Sequence, residues 1–275
     1  MVGKALESAA DRVLLDLEDA VDPSRKDIAR ASTVELLGSL DADARSRVSV
    51  RVNAVGTGWS HKDLIALAST LTPPGSIVLP KAEPRGVAYA ERLLSDIDAD
   101  LQRTQPVDGP ALELLIESAE GIAYVGSAFR AEPRVSTLIL GYADLAASLG
   151  RPDVGPPDSW LPIQQSVVTA ARRSNIATID GPHLGTAVDD DFLATVRLAY
   201  LLGFDGKWVI HPRQIDSVNE AFTPSANQVD WAHQVLEALQ HGSSEQRGAV
   251  QLNGQMLDEA VAVAARQLLT RAGES

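Results

Sequence analysis

Seven short apolar runs, with longer amphipathic stretches between them, limit what this chain can fold into. The runs occupy residues 13–17, 48–52, 77–80, 112–116, 137–140, 176–179 and 208–210. They are mostly β-branched or leucine-rich, and apart from 48–52 they do not alternate strictly between apolar and polar. Strands buried on both faces read this way, and such strands belong to parallel sheets covered by helices. The stretches 24–40, 61–71, 84–97, 162–173 and 190–202 carry a helical period instead. Proline and glycine gather in the joints, at 73–74, 106–110 and 152–157. Repeated βα units predict an α/β fold of the TIM-type (β/α)8 barrel kind.

That barrel needs eight strands, and the runs supply seven. Residues 4–12 read as a helix leading into the first run, so the missing strand is expected to be the first, upstream of residue 1. After residue 222 the pattern changes. A helix over 225–241, a Gly/Ser/Gln-rich stretch and a helix over 255–272 predict a C-terminal helical lid or oligomer contact. The expected division is 1–222 for the barrel and 223–275 for the lid.

Composition excludes several classes of function. The 275 residues include no cysteine, which removes disulfides, thiolate zinc sites and cysteine nucleophiles. A net charge of −13 disfavours nucleic acid, whose phosphates need a basic footprint. No apolar run approaches the roughly 18 residues of a membrane span, and the first residues lack a signal-peptide core. A cytoplasmic protein with no nucleic-acid or membrane partner is expected.

Barrel chemistry sits where strands end. Glu18 and Asp19 follow the first run. Arg51 and Asn53 end the second. Lys81, Glu117, Asp144, Asp180 and His211 follow the others. Glu117 and Asp144 end adjacent strands and could share a hard divalent cation, since Mg²⁺ uses one or two carboxylates and keeps several waters. Either acid could instead cap the next helix. Arg51 could pair with Glu18 or Asp19, or grip a substrate carboxylate with its planar fork. Arg25, Lys26 and Arg30, with Lys81 and Arg85, could hold phosphates or form a solvated helix face. His211 in Ile-His-Pro reads as structural, and no Walker or Rossmann glycine loop is present.

These residues lie in stretches that resemble the citrate lyase β-subunit-like enzymes of the HpcH/HpaI aldolase superfamily, which include malyl-CoA and citramalyl-CoA lyases. The stretches are LLDLEDAV at 14–21, RVN at 51–53, LPKAE at 79–83, IESAEGI at 116–122 and GYADLAASLG at 141–150. GFDGKWVIHPRQ at 203–214, AFTPS at 221–225 and GQMLD at 254–258 complete the set. The resemblance implies a Mg²⁺-dependent lyase that splits a 3-hydroxyacyl-CoA into acetyl-CoA and a 2-oxo acid. It implies Glu117 and Asp144 as metal ligands, and Arg51 as the partner of the keto-acid carboxylate. It implies Glu18 and Asp19 as acids that organise the metal's waters. Lys26, Arg30 and Lys81 fall on the CoA side, and Asp258 is a proton donor or acceptor on a mobile C-terminal lid. Family members commonly form homotrimers or hexamers. Two departures stand out. The family's opening strand, with an Arg-Ser-x-Leu-Phe-x-Pro-Gly-like segment, is absent here, and Ala143 stands where many relatives carry Glu. Three alternatives remain: a malyl-CoA thioesterase, a CoA-independent 2-oxo-acid aldolase, and a non-catalytic subunit that binds acyl thioesters.

Overall fold

The computed structural model describes residues 2–103, 109–125, 133–244 and 250–274. Parts of the expected joint at 106–110 and of the Gly/Ser/Gln-rich stretch lie outside them. Contacts divide the chain into Met1–Val218 and Asn219–Ser275.

The first unit is an α/β structure around a seven-stranded parallel sheet. Its strands are β1 (Val13–Asp16), β2 (Val48–Arg51), β3 (Ser76–Leu79), β4 (Ala111–Ile116), β5 (Val135–Leu140), β6 (Ala177–Asp180) and β7 (Gly206–Lys207). They pair in sequence order, so among the described residues β1 and β7 are edges. The count of seven agrees with the sequence. The helices are α1 (Val2–Leu6), α2 (Lys26–Ser39), α3 (Ala42–Ser46), α4 (Ser60–Ala68), α5 (Pro84–Asp100), α6 (Ala119–Tyr124), α7 (Tyr142–Ser148), α8 (Leu161–Ser174) and α9 (Asp190–Leu202), followed by α10 (Ile215–Phe222), which straddles the division. Local chemistry sets several boundaries. Ser118 caps α6 through the Gly121 amide, and Asp189 caps α9 through the Phe192 amide. Asn175 and Gly203 end α8 and α9 in the left-handed region.

Two boundaries in the first unit differ markedly from the expectation. The first helix stops at Leu6, because the Arg47 guanidinium binds the carbonyls of Leu6, Ser8, Ala10 and Asp11 and holds that segment open. The seventh strand lies at Gly206–Lys207 rather than 208–210. The Trp208 amide makes the next bond, to Asp180 O at 2.9 Å, and Ile210 is half-exposed. The hydrophobicity of Trp-Val-Ile marks the end of this ladder, not its middle.

Side chains alternate across a strand, and the parallel register aligns that alternation over the whole sheet. One face carries Val48, Val50, Ile77, Leu79, Leu112, Leu114, Ile116, Leu138 and Leu140, all buried, and the helices cover it. The inner face is layered. At the N-terminal end of the strands, Glu113 accepts hydrogen bonds from Arg12 (3.1 Å), Ser49 (3.1 Å) and Ser76 (2.5 Å). Val78, Leu115 and Ile139, with Leu14, Ile179 and Trp208, form an apolar middle layer. Above it, at the strand ends, stand Asp16 and Arg51, paired in register.

The second unit holds α11 (Ala226–Ser244), β8 (Val250–Leu252), β9 (Gln255–Leu257) and α12 (Glu259–Arg271). Ala232, Val235, Leu257, Ala265 and Leu269 form its core. The helix expected over 255–272 begins instead as a strand. Asn253 and Gly254 both have positive φ (51° and 82°) and turn β8 back onto β9 as a hairpin. Asp258 then starts α12 by accepting the Val261 amide at 3.0 Å. Among the described residues no helix is long and apolar enough to cross a membrane.

Candidate active site and metal centre

Asp16, the last residue of β1, receives Arg51 bidentately, from Nε at 2.9 Å and Nη2 at 2.5 Å. The same carboxylate accepts the amides of Glu18 (2.8 Å) and Ala20 (3.1 Å), so it also folds the loop that carries Glu18 and Asp19. Burial pushes the Asp16 carboxyl up, but Arg51 and these amides bring it below its ordinary value. The third guanidinium nitrogen, Nη1, lies 3.2 Å from Glu18 Oε2 and 3.3 Å from Asp19 Oδ2. These are ion pairs, not aligned hydrogen bonds, so Nη1 is the part of Arg51 most open to a ligand. Burial works against the charged guanidinium, but the carboxylates prevail and hold Arg51 above its ordinary pKa.

Lys81 joins this group to the next one. Its ammonium is 2.9 Å from Glu18 Oε1 and 4.0 Å from Asp144 Oδ1. Its amide donates to Glu117 Oε1 at 2.8 Å. Lys81 has φ 47°, a region unfavourable to side chains that bear a Cβ. This turn at the end of β3 aims both its nitrogens at acids. Glu117 ends β4 on the inner face and is buried. Burial first, then the charges of Asp144 and Glu18, push its carboxyl up to about 7 despite Lys81. Glu18 is also raised, because burial outweighs Lys81 and Arg51, and its Oε2 is buried without a hydrogen bond. Asp144, half-exposed, sits in the first turn of α7. It does not cap that helix, since the cap position is Gly141, and its carboxylate stays available.

This donor set fits a hard divalent cation. A buried carboxylate forced toward neutrality beside a second one gains from a positive ion between them. Among the described residues no three His, Cys, Asp or Glu side chains cluster as a metal site, so the protein offers few ligands. Mg²⁺ retains waters and suits such a set. Gly141 completes it. A Cβ there would lie 2.7 Å from Glu117 Oε2 and 2.9 Å from its Cβ. Gly141→Ala is therefore expected to displace Glu117 and weaken Mg²⁺ binding about tenfold or more; titration with Mn²⁺ followed by electron paramagnetic resonance would check this. Metal must also displace the Glu117 proton. Below pH 7 apparent Mg²⁺ affinity is expected to fall about tenfold per pH unit, and above pH 8 to level off. Calorimetric titrations between pH 6 and 8.5 would show the slope.

The other basic residues have internal partners. Lys26 is buried, and its ammonium binds the carbonyls of Leu17 (2.8 Å) and Glu18 and lies 5.6 Å from the centre of the Trp59 ring. Arg30 binds Asp63 and Asp27, each at 2.6 Å. Asp63 in turn accepts the Asn53 amide (3.0 Å) and its side-chain NH₂ (2.6 Å). Lys26 and Arg30 thus have internal partners, where the sequence left a phosphate-facing role and a solvated helix face both open. They brace the loops after β1 and β2, because a buried cation needs partners of its own. Lys81 belongs with the acids. Asp180 points away from the inner face and pairs with Lys207 at 2.5 Å. His211 caps a short turn, its Nδ1 accepting the Arg213 amide, as a structural residue does. Sequence reasoning missed Asp16 and Gly141 as site residues. Two-residue alternation through Leu14, Asp16 and Glu18 would have found the first, but nothing local marks the second.

Comparisons with known proteins point the same way. The family model described as HpcH/HpaI aldolase/citrate lyase matches residues 1–212. An L-malyl-CoA/beta-methylmalyl-CoA lyase of Cereibacter sphaeroides is 34% identical over 274 residues, covering 93% of this chain and 85% of that enzyme. A (3S)-malyl-CoA thioesterase of the same species is 31% identical, covering 98% and 89%. The crystal structure of CitE from Mycobacterium tuberculosis, in complex with magnesium, acetoacetate and coenzyme A, is 31% identical with a TM-score of 0.76, covering 99% of this chain and 93% of that one.

Proposed function

Because the chain belongs to the HpcH/HpaI aldolase/citrate lyase family, we propose that it is a Mg²⁺-dependent carbon–carbon lyase acting on a 3-hydroxyacyl-CoA such as malyl-CoA or citramalyl-CoA. The observation that carries this reading is the inner rim itself, where the metal-compatible pair Glu117 and Asp144 faces Arg51 across Lys81. The magnesium, acetoacetate and coenzyme A of the CitE complex support the same ligands here.

Glu117 and Asp144 would hold Mg²⁺, which supplies Lewis-acid polarisation of the substrate oxygen. Arg51 grips the substrate carboxylate through Nη1, while Asp16 fixes the plane of the guanidinium. Glu18 and Asp19 order water at the rim, and Lys81 adds positive charge where the new oxo acid forms. The hydroxyl gives its proton to water at the rim and becomes the carbonyl. The electrons of the broken carbon–carbon bond pass to the thioester α-carbon, and that enolate takes up one proton. The reaction needs no oxidant. We assign this proton to Asp258, which is exposed at the start of α12. Lys26 and Arg30 serve the CoA side indirectly, by shaping the loops after β1 and β2.

Asp258 also caps a helix, so removing it does two things at once. Asp258→Asn keeps a capping oxygen but cannot move a proton. Turnover is expected to fall about 100-fold or more with Mg²⁺ affinity and melting temperature unchanged. Turnover within threefold of wild type would remove Asp258 from the chemistry. The function is tested with a panel of malyl-, citramalyl- and methylmalyl-CoA, with and without Mg²⁺. Acetyl-CoA or propionyl-CoA is expected, together with the matching 2-oxo acid. The thioesterase relative motivates a second reading, in which free CoA and the intact hydroxy acid appear instead. Absence of either product pair from every ester would overturn both.

A further inference from the structure

We infer that the first unit carries a second small-molecule site, on the helix-covered face of the sheet, for a neutral, largely apolar ring compound with one O–H or N–H donor. A cavity of about 380 Å³ lies there, lined by Tyr142, Trp160, Gln164, Asp180, Thr195 and Lys207 among others. Small-molecule pockets begin near this size. Strand alternation separates it from the carboxylate rim. Asp180 and Lys207 are register partners on the face opposite Ile179 and Gly206, whereas Glu117 and Arg51 stand on the inner face. None of the rim residues Asp16, Glu18, Arg51, Lys81, Glu117 or Asp144 lines it.

The lining selects the ligand. Its floor is a closed polar chain. Lys207 binds Asp180 Oδ2 (2.5 Å) and the Gly181 carbonyl (2.7 Å), Tyr142 donates to Asp180, and Gln164 Nε2 donates to the Tyr142 oxygen at 2.6 Å. The floor charges already neutralise each other, so an anion would lose its hydration without gaining a counter-ion, and a cation would meet only the exposed, water-screened carboxylate of Asp191. The walls are flat and apolar: Tyr142 and Trp160, whose ring centres are 5.1 Å apart, with Pro156, Pro157 and Pro182. Such surfaces favour a ring. One acceptor is left over. Gln164 is 4% exposed, and its Oε1 has no hydrogen-bond partner. A buried unpaired acceptor favours a ligand that brings a donor. The wall is braced in advance, since Trp160 Nε1 donates to the Val154 carbonyl at 2.7 Å and Arg151 lies 3.9 Å from the centre of its ring.

Indole serves as the probe, with 1-methylindole, which lacks the N–H, and benzoate, which adds a charge. Ligand-observed NMR is expected to show indole bound with a millimolar or lower Kd, and both comparators about tenfold weaker. Thr195→Trp is expected to fill the cavity and abolish binding. If that variant fails to fold, Gln164→Met is expected to equalise indole and 1-methylindole. No indole binding, equal binding of benzoate, equal binding of 1-methylindole to wild type, or indole binding unchanged in folded Thr195→Trp would each overturn the proposal.

Discussion

Glu117→Gln is expected to abolish metal-dependent turnover and yet to make the metal-free protein more stable at pH 8. The two effects share one cause. The Glu117 carboxyl is raised from an ordinary 4.5 to about 7, chiefly by burial and then by Asp144. An acid raised in this way gives the folded state extra bound protons between pH 4.5 and 7. Stability therefore falls as pH rises through that window, and the full cost is present above it. At 1.36 kcal/mol per unit the cost at pH 8 is about 3 kcal/mol, as an order of magnitude. Glutamine keeps the oxygen that accepts the Lys81 amide and removes the charge. Urea unfolding at pH 5 and pH 8 in the presence of EDTA would measure the gain, which should shrink toward pH 5. Turnover should drop about 1000-fold or more, since a Lewis acid contributes several kcal/mol to the transition state. Activity within tenfold of wild type would sink Glu117 as a ligand.

Arg51→Lys should do the opposite to stability and also cut activity severely. Lysine keeps the charge but cannot span both Asp16 oxygens. Asp16, Glu18 and Asp19 all lie within 3.3 Å of this one guanidinium, and breaking a largely buried ion pair costs about 3–5 kcal/mol. A loss of about 2–4 kcal/mol is expected here, because Asp19 is exposed and lysine retains some attraction. Turnover should fall at least about 100-fold. The double variant Asp16→Asn/Arg51→Gln should recover stability without recovering activity. Recovery of both would reduce Arg51 to a structural residue.

The parallel sheet was legible in the sequence because its strands are buried on both faces, which leaves unbroken apolar runs such as Ile77–Leu79. The seventh strand was misplaced because a glycine and a lysine make the ladder while the more hydrophobic Trp208 follows it. The hairpin before α12 was overlooked even though Asn253-Gly254 is a strong turn signal; its flanking strands are three residues each. Among the site residues, acids and Arg51 at strand ends could be read from position alone. What could not be read was which cations are spent internally. Lys26 and Arg30 lie one helical turn apart on α2, yet their partners come from the loop after β1 and from α4. Asp180 was placed on the rim because it follows a strand, but alternation turns it outward. Gly141 owes its importance to a side chain 24 positions earlier, and only the fold supplies that proximity.

Asp16 has a consequence for how this protein tolerates substitution. One carboxylate turns the chain after β1 and clamps the guanidinium beside it. A single substitution at position 16, with Arg51 kept, therefore cannot trade folding against catalysis, because the same four hydrogen bonds serve both. Position 19, three residues along and exposed, is bound by no such double demand. Selection for stability alone would therefore preserve Asp16 with its partner Arg51, whereas Asp19 would be kept only by selection for turnover.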